Sequence, residues 1–132
     1  MIRLLIVALI LTASQAFAAT KTLKPLKTWK GQMPVVVQPL MQSSVATSAE
    51  WQRAWSTCQM KGAPDAVDFD KRIVLVAVRR GSEVTFSSIK LDSGNVTMSV
   101  AVTPDMPSHY TCAFAMIDRT GVTTVNGAPL GK

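Results

Sequence analysis

The hydrophobic pattern passes along the chain from an unbroken apolar run, through a helical period, to a strand period. Trp51, Ala54, Trp55 and Cys58 recur at the i, i+3, i+4, i+7 spacing of one helix face, while Glu50, Gln52, Arg53 and Gln59 fall off it. Thr47 and Glu50 stand in the S/T-x-x-E relation of a capping box, which predicts a helix beginning near Ser48. Gly62 and Pro64 in "KGAPDA" are its expected stop.

From Arg72 the period shortens. "RIVLVAVR" is a continuous, largely β-branched run suited to a strand buried on both faces. "NVTMSVAV" alternates, with Val96, Met98, Val100 and Val102 on one side. "EVTFSSIKL" changes parity between Phe86 and Ile89, so a bulge near Ser87 or Ser88 is expected to restore one apolar face. "HYTCAFAMI" places Tyr110, Cys112, Phe114 and Met116 on one face, with Ala113 and Ala115 small enough for a second layer to approach the other. "RRGS", "SGN" and "DRTG" are turn chemistry; the short connections predict antiparallel neighbours. "GVTTV" is expected to pair back, and the Asn126-Gly127 step to turn the chain into a short tail.

The expected fold is therefore α+β, with one N-terminal helix packed on a mostly antiparallel sheet of about five strands, as a single domain over 47–132. In that arrangement Trp51, Trp55 and Cys58 are the buried stripe of the helix. The competing reading of Trp51 is an exposed aromatic platform for a carbohydrate or a partner.

The segments before the helix read differently. Residues 1–18 have the form of a signal peptide: a positive start at Arg3, the apolar run "LLIVALILTA", and Ala16-Phe17-Ala18 ahead of a cleavage point. Residues 19–46 read as a basic, extended N-terminal arm, with Lys21, Lys24, Lys27 and Lys30 at three-residue spacing, Pro25 opposing a helix, and Trp29 pinning the arm to the domain. The "VVV" of Val35–Val37 is a candidate edge strand.

Charge sharpens the partner class. The chain carries 14 Lys and Arg against 8 Asp and Glu, and loses only Arg3 with the leader, leaving 13 against 8, or +5. For an exported chain, periplasmic or extracellular, that balance points to an acidic protein or an anionic envelope component rather than nucleic acid. No transmembrane segment is expected in the mature chain. Lys21, Lys24, Lys27 and Lys30, with the turn pair Arg79 and Arg80, are the candidate binding residues.

The two cysteines, on predicted apolar faces, are expected to form a Cys58–Cys112 disulfide. Its loop of about 55 residues is worth roughly 4 kcal/mol on the chain-entropy argument. No catalytic residues and no cofactor are expected. His109, the only histidine, lies in "MPSHY" without a nucleophile-elbow context. Asp65, Asp68 and Asp70 lack the glycine turn and closing glutamate of a calcium loop, and read as solvated residues around an inward Phe69. The weak metal alternative is a soft-metal pair, Met106 and His109, suited to copper. "NVT" at Asn95 matches a glycosylation acceptor and leaves modification open.

"SAEWQRAW", followed after a glycine-proline loop by "VDFDKRIVLVAVRRG", resembles the C-terminal domain of the bacterial protease-complex subunit family of the PrcB type, over about residues 48–102. The resemblance implies a small exported, β-rich accessory domain without an active site of its own. The function expected is a non-catalytic accessory or interaction domain binding a protein or an anionic envelope component. The alternatives are a small hydrolase or copper-binding protein using His109, and a ligand carrier with methionine-lined sheet faces.

Overall fold

A computed structural model of the protein describes residues 20–35, 40 and 42–132. The signal-peptide reading, and Val36 and Val37 of the candidate edge strand, lie outside the described residues. In chain order the elements are β1 (Lys21–Thr22), β2 (Lys27–Pro34), β3 (Ser44–Val45), α1 (Ser48–Thr57), β4 (Arg72–Arg79), β5 (Val84–Asp92), β6 (Asn95–Val102), β7 (His109–Asp118), β8 (Thr124–Val125) and β9 (Ala128–Pro129).

The fold is α+β and mostly sheet, but the strands form two sheets rather than one of about five. One has the order β1-β5-β6-β8-β9, the other β2-β7-β4-β3. The reason lies in β4 and β7, which carry apolar side chains at both parities. Val74, Val76, Cys112 and Phe114 pack with Trp29 and Met33 of β2 against Trp51, Ala54 and Trp55 of α1. Ile73, Leu75, Ala115 and Ile117 point the other way, onto Ile89 of β5, Val96 of β6 and Val125 of β8. A lone helix covers one face of a sheet, so the second apolar face requires a second sheet. The layers run helix, four-stranded sheet, five-stranded sheet. Each fully buried aliphatic or Phe side chain in these two cores contributes roughly 1.5–3 kcal/mol by leaving water.

The connections follow from that layering. Residues 80–83 carry the chain from β4 to β5 in the other sheet, and residues 103–108 carry it back from β6 to β7, which inserts between β2 and β4. Consecutive strands therefore pair at the β5–β6 and β8–β9 hairpins and, across the helix, at β3–β4. "GVTTV" does not pair back on β7; β8 lies parallel to β6, through Asn95↔Thr124 and Val96↔Val125. The β5–β6 register shifts between Phe86 and Ser88, where the change of parity requires it. Both hairpins use two-residue turns with positive φ, Ser93 (49°) with Gly94 (82°) and Asn126 (49°) with Gly127 (78°), whose twist matches that of the strands they join.

The helix starts as its cap predicts. Thr47 accepts from the Glu50 N–H at 3.2 Å, and its hydroxyl donates to Glu50 Oε1 at 2.9 Å. The stop is earlier than Gly62. Gln59 takes the left-handed position (φ 54°), with the Gln59 N–H donating to Ser56 O and the Met60 N–H to Trp55 O, both at 3.1 Å, the paired bonds of a Schellman motif.

The basic segment is extended, as read, but it is not an arm. β1 pairs with β5, and β2 pairs with β7 along its whole length. Trp29 and Met33 are buried under the helix, and the Gln32 N–H donates to Cys58 O at 3.1 Å. Gly31 is required where the helix end crosses this strand: a Cβ there would lie 2.6 Å from Cys58 O. No helix among the described residues is long and apolar enough to cross a membrane.

Candidate functional site

Two polar constructions stand out, and each is organised by one aspartate. The first lies beneath the helix. Trp51 sits between Trp29, Trp55 and Phe114, with ring centroids 5.0, 5.4 and 5.3 Å away. Buried indole N–H groups need acceptors. The loop after the helix supplies all three: Trp29 Nε1 donates to Asp65 Oδ2 at 2.7 Å, Trp51 Nε1 to Asp65 O at 2.9 Å, and Trp55 Nε1 to Gly62 O at 3.2 Å. Lys27 Nζ also reaches Asp65 Oδ2, at 2.6 Å. The Lys27 hydrogen bond first, and the Trp29 bond second, hold the Asp65 carboxyl below its ordinary range. With Trp51 only 2% exposed, this cluster is core and clamps the 61–70 loop. It presents no aromatic platform.

The second construction joins the two crossover loops at one end of the sandwich. Asp105 accepts from the Ser82 hydroxyl, from the Ser82 N–H at 3.1 Å and from the Thr103 hydroxyl at 2.6 Å. Around it the Glu83 N–H donates to Thr103 Oγ1 and the Thr103 N–H to Glu83 O, both at 3.1 Å, while the Thr111 hydroxyl donates to Gly81 O. Arg80 Nε donates to Pro107 O at 2.9 Å. Residues 80–83 and 103–107 are thus tied into one unit. It presents Met106, 70% exposed, and Val102, 38% exposed, with the exposed Arg80 bonded to the same loop.

The Ser82 and Thr103 hydroxyls, in that order, hold the Asp105 carboxyl down to about 2. A carboxyl lowered on folding stabilises the folded state above its unfolded value of 3.8 and loses that contribution as pH falls toward 2. Asp105→Asn is expected to flatten the acid limb of stability against pH between about 4 and 2 relative to wild type, read by chemical denaturation at each pH. An unchanged limb would mean that Asp105 does not hold the loops together.

The other residues singled out in the sequence are dispersed. Three-residue spacing on a strand of period two puts Lys27 and Lys30 on opposite faces of β2. Lys27 meets Asp65 and Lys30 meets Glu83, at 2.9 Å. Lysines on an edge strand oppose its pairing with another chain, which accounts for their placement. Lys21 and Lys24 are exposed near the opposite end of the sandwich, Lys21 close enough to act on Asp118. The proposed six-residue basic set is therefore not one surface; of it, Arg80 alone is bonded to the loop that carries Met106.

His109 faces Pro34 across the β2–β7 ladder, and its Nε2 is buried with no hydrogen-bond partner among the described residues. The Ser82 hydroxyl is committed to Asp105. Among the described residues no group of three His, Cys, Asp or Glu side chains is placed to hold a metal. Asn95 Oδ1 accepts from Thr124 Oγ1 at 2.7 Å and from the Gly127 N–H at 2.9 Å, so this side chain fastens the β8–β9 hairpin. Cys58 and Cys112 are joined, with Cα atoms 6.2 Å apart and both residues fully buried. A disulfide is compatible with an oxidising compartment.

Sequence reasoning took Asp65 for a solvated residue, where it holds Trp29 and Lys27, and it missed Asp105. The available signals were Asp65 following Pro64 and the Thr103-Pro104-Asp105 turn, but apart from Thr103 the partners of these carboxylates, Ser82, Trp29 and Lys27, lie 20 or more residues away. No family model matches this chain, and no curated protein and no solved structure is significantly similar to it.

Proposed function

We propose that this chain is an exported, non-catalytic interaction domain that recognises an acidic protein or an anionic envelope component through the loop end around Asp105. The observation that carries the reading is the exposed Met106 with Arg80, next to Arg79 at the end of β4, on loops cross-linked by Asp105. Preorganised loops lose little conformational entropy on binding, and loop tips on a rigid scaffold carry recognition more often than packed faces do. Three of the aspartates serve structure: Asp65 holds the tryptophans, Asp105 the loops, and Asp118 caps the Thr120 turn and pairs with Arg72. The likeness of residues 48–102 to the accessory domain of the PrcB type agrees with this reading.

Immobilised mature protein, incubated with the solubilised envelope of its own cells, tests it. Replacing Arg79 and Arg80 with glutamine is expected to lower capture roughly tenfold and to flatten its salt dependence. Gln at Lys27 and Lys30, whose charges are already paired, is expected to change capture little, and His109→Ala not at all. Loss of function in His109→Ala with full capture by the arginine variant would favour the hydrolase or copper reading instead.

A further inference from the structure

We propose that Met106 is a selective oxidation site, at which a hydroperoxide converts the thioether to a sulfoxide and removes the apolar tip of the loop end without disturbing the fold. In the step, the sulfur lone pair attacks one oxygen of the peroxide. An S–O bond forms as the O–O bond breaks, and the second oxygen leaves as water or alcohol once it has taken up the proton. The sulfur gives up two electrons and the peroxide gains them.

Selectivity follows from where the described methionines sit. Oxidation tracks exposure of the sulfur. Met33 is fully buried in the core beneath the helix, and Met60, Met98 and Met116 are half-buried against the two main cores. Met106 is 70% exposed and belongs to no core cluster. Its exposure belongs to the folded state, because its neighbours are fastened on both sides, Asp105 by Ser82 and Thr103, and Pro107 O by Arg80.

The consequence for stability differs equally. A sulfoxide at Met33 would bring a strong, unpaired acceptor into an apolar core, whereas at Met106 the new oxygen meets water. The fold is therefore indifferent to oxidation at Met106, and the surface is not: an apolar side chain on the loop bonded to Arg80 becomes polar. The effect on recognition rests on the function proposed above; the assignment of the oxidation site does not.

Mature protein titrated with hydrogen peroxide and mapped by peptide mass spectrometry separates the two. The peptide containing Met106 is expected to gain its oxygen roughly tenfold or more faster than those containing Met33, Met60, Met98 or Met116, with no change in the unfolding midpoint after the first oxygen. Equal or faster oxidation at any of those four, or a midpoint that falls with the first oxygen, overturns the site assignment. Capture by protein oxidised at Met106 alone, and by Met106→Gln, is expected to fall severalfold. Oxygen mapped to Met106 with capture unchanged leaves the chemistry standing and overturns its link to recognition.

Discussion

Reducing the Cys58–Cys112 disulfide is expected to lower the unfolding midpoint by roughly 15 °C, the thermal equivalent of about 4 kcal/mol in a domain of this size. The bridge spans 54 residues and ties the C-cap of α1 to β7, which is flanked in its sheet by β2 and β4. The chain between the two cysteines contains β4, β5 and β6, so the bridge restricts most of the unfolded chain that forms both sheets. Replacing both cysteines with alanine should reproduce the loss, less any packing recovered by the methyl groups. The measurement is thermal unfolding with and without a reductant able to reach the unfolded chain. Identical midpoints would show that burial of α1, rather than the bridge, fixes the helix on the sheet.

That disulfide was legible because each cysteine lies on an apolar face defined by its own neighbours: Cys58 at the end of the Trp51–Trp55 stripe, and Cys112 in register with Phe114 and Met116. The helix cap, the two tight turns and the Phe86–Ser88 bulge were legible for the same reason, each being set by residues a few positions apart. The second sheet was half legible. "RIVLVAVR" announces a strand covered on both faces, and Ala113 with Ala115 leaves room for a layer. Nothing local says that residues 80–83 leave the sheet instead of turning back within it. That outcome depends on the total apolar surface of β5 and β6 needing β4 and β7 beneath it.

The site was less legible than the fold. Lysine spacing looked like a recognition array because charge is visible in sequence and its neutralisation is not. Glu83 and Asp65, which meet Lys30 and Lys27, lie 53 and 38 residues away. Arg79 and Arg80 were read as a turn pair, but Arg79 closes β4 and pairs with Thr111, so only Arg80 lies in the loop; that the Met106 loop stands beside Arg80 depends on the bonds of Asp105 to Ser82 and of Pro107 to Arg80. Side-chain bonds across such separations leave no period, so the local pattern could supply the participants without the pairing.

Trp51→Ala is expected to destabilise the protein by about 3–5 kcal/mol, the cost of deleting a buried aromatic side chain whose site does not collapse. The neighbours that would have to close the gap are themselves constrained: Trp29 is on β2, Phe114 on the central β7, and Trp55 is fixed by its bond to Gly62 O. The substitution also leaves Asp65 O without its indole donor. Trp51→Phe shifts the balance of the two contributions, because it removes the N–H and only the smaller part of the ring. Its expected cost is about 2–3 kcal/mol, from an acceptor left without its buried partner and a smaller cavity. Amide exchange should then quicken over residues 61–70 while the strands keep their protection. Against a typical total stability of about 5–15 kcal/mol, Trp51→Ala would bring the reduced protein close to its unfolding threshold at room temperature. Urea denaturation of the two variants, with exchange measured residue by residue, decides the matter. If Trp51→Ala cost less than about 1 kcal/mol yet abolished capture, Trp51 would be a contact residue rather than the pivot between helix, sheet and loop.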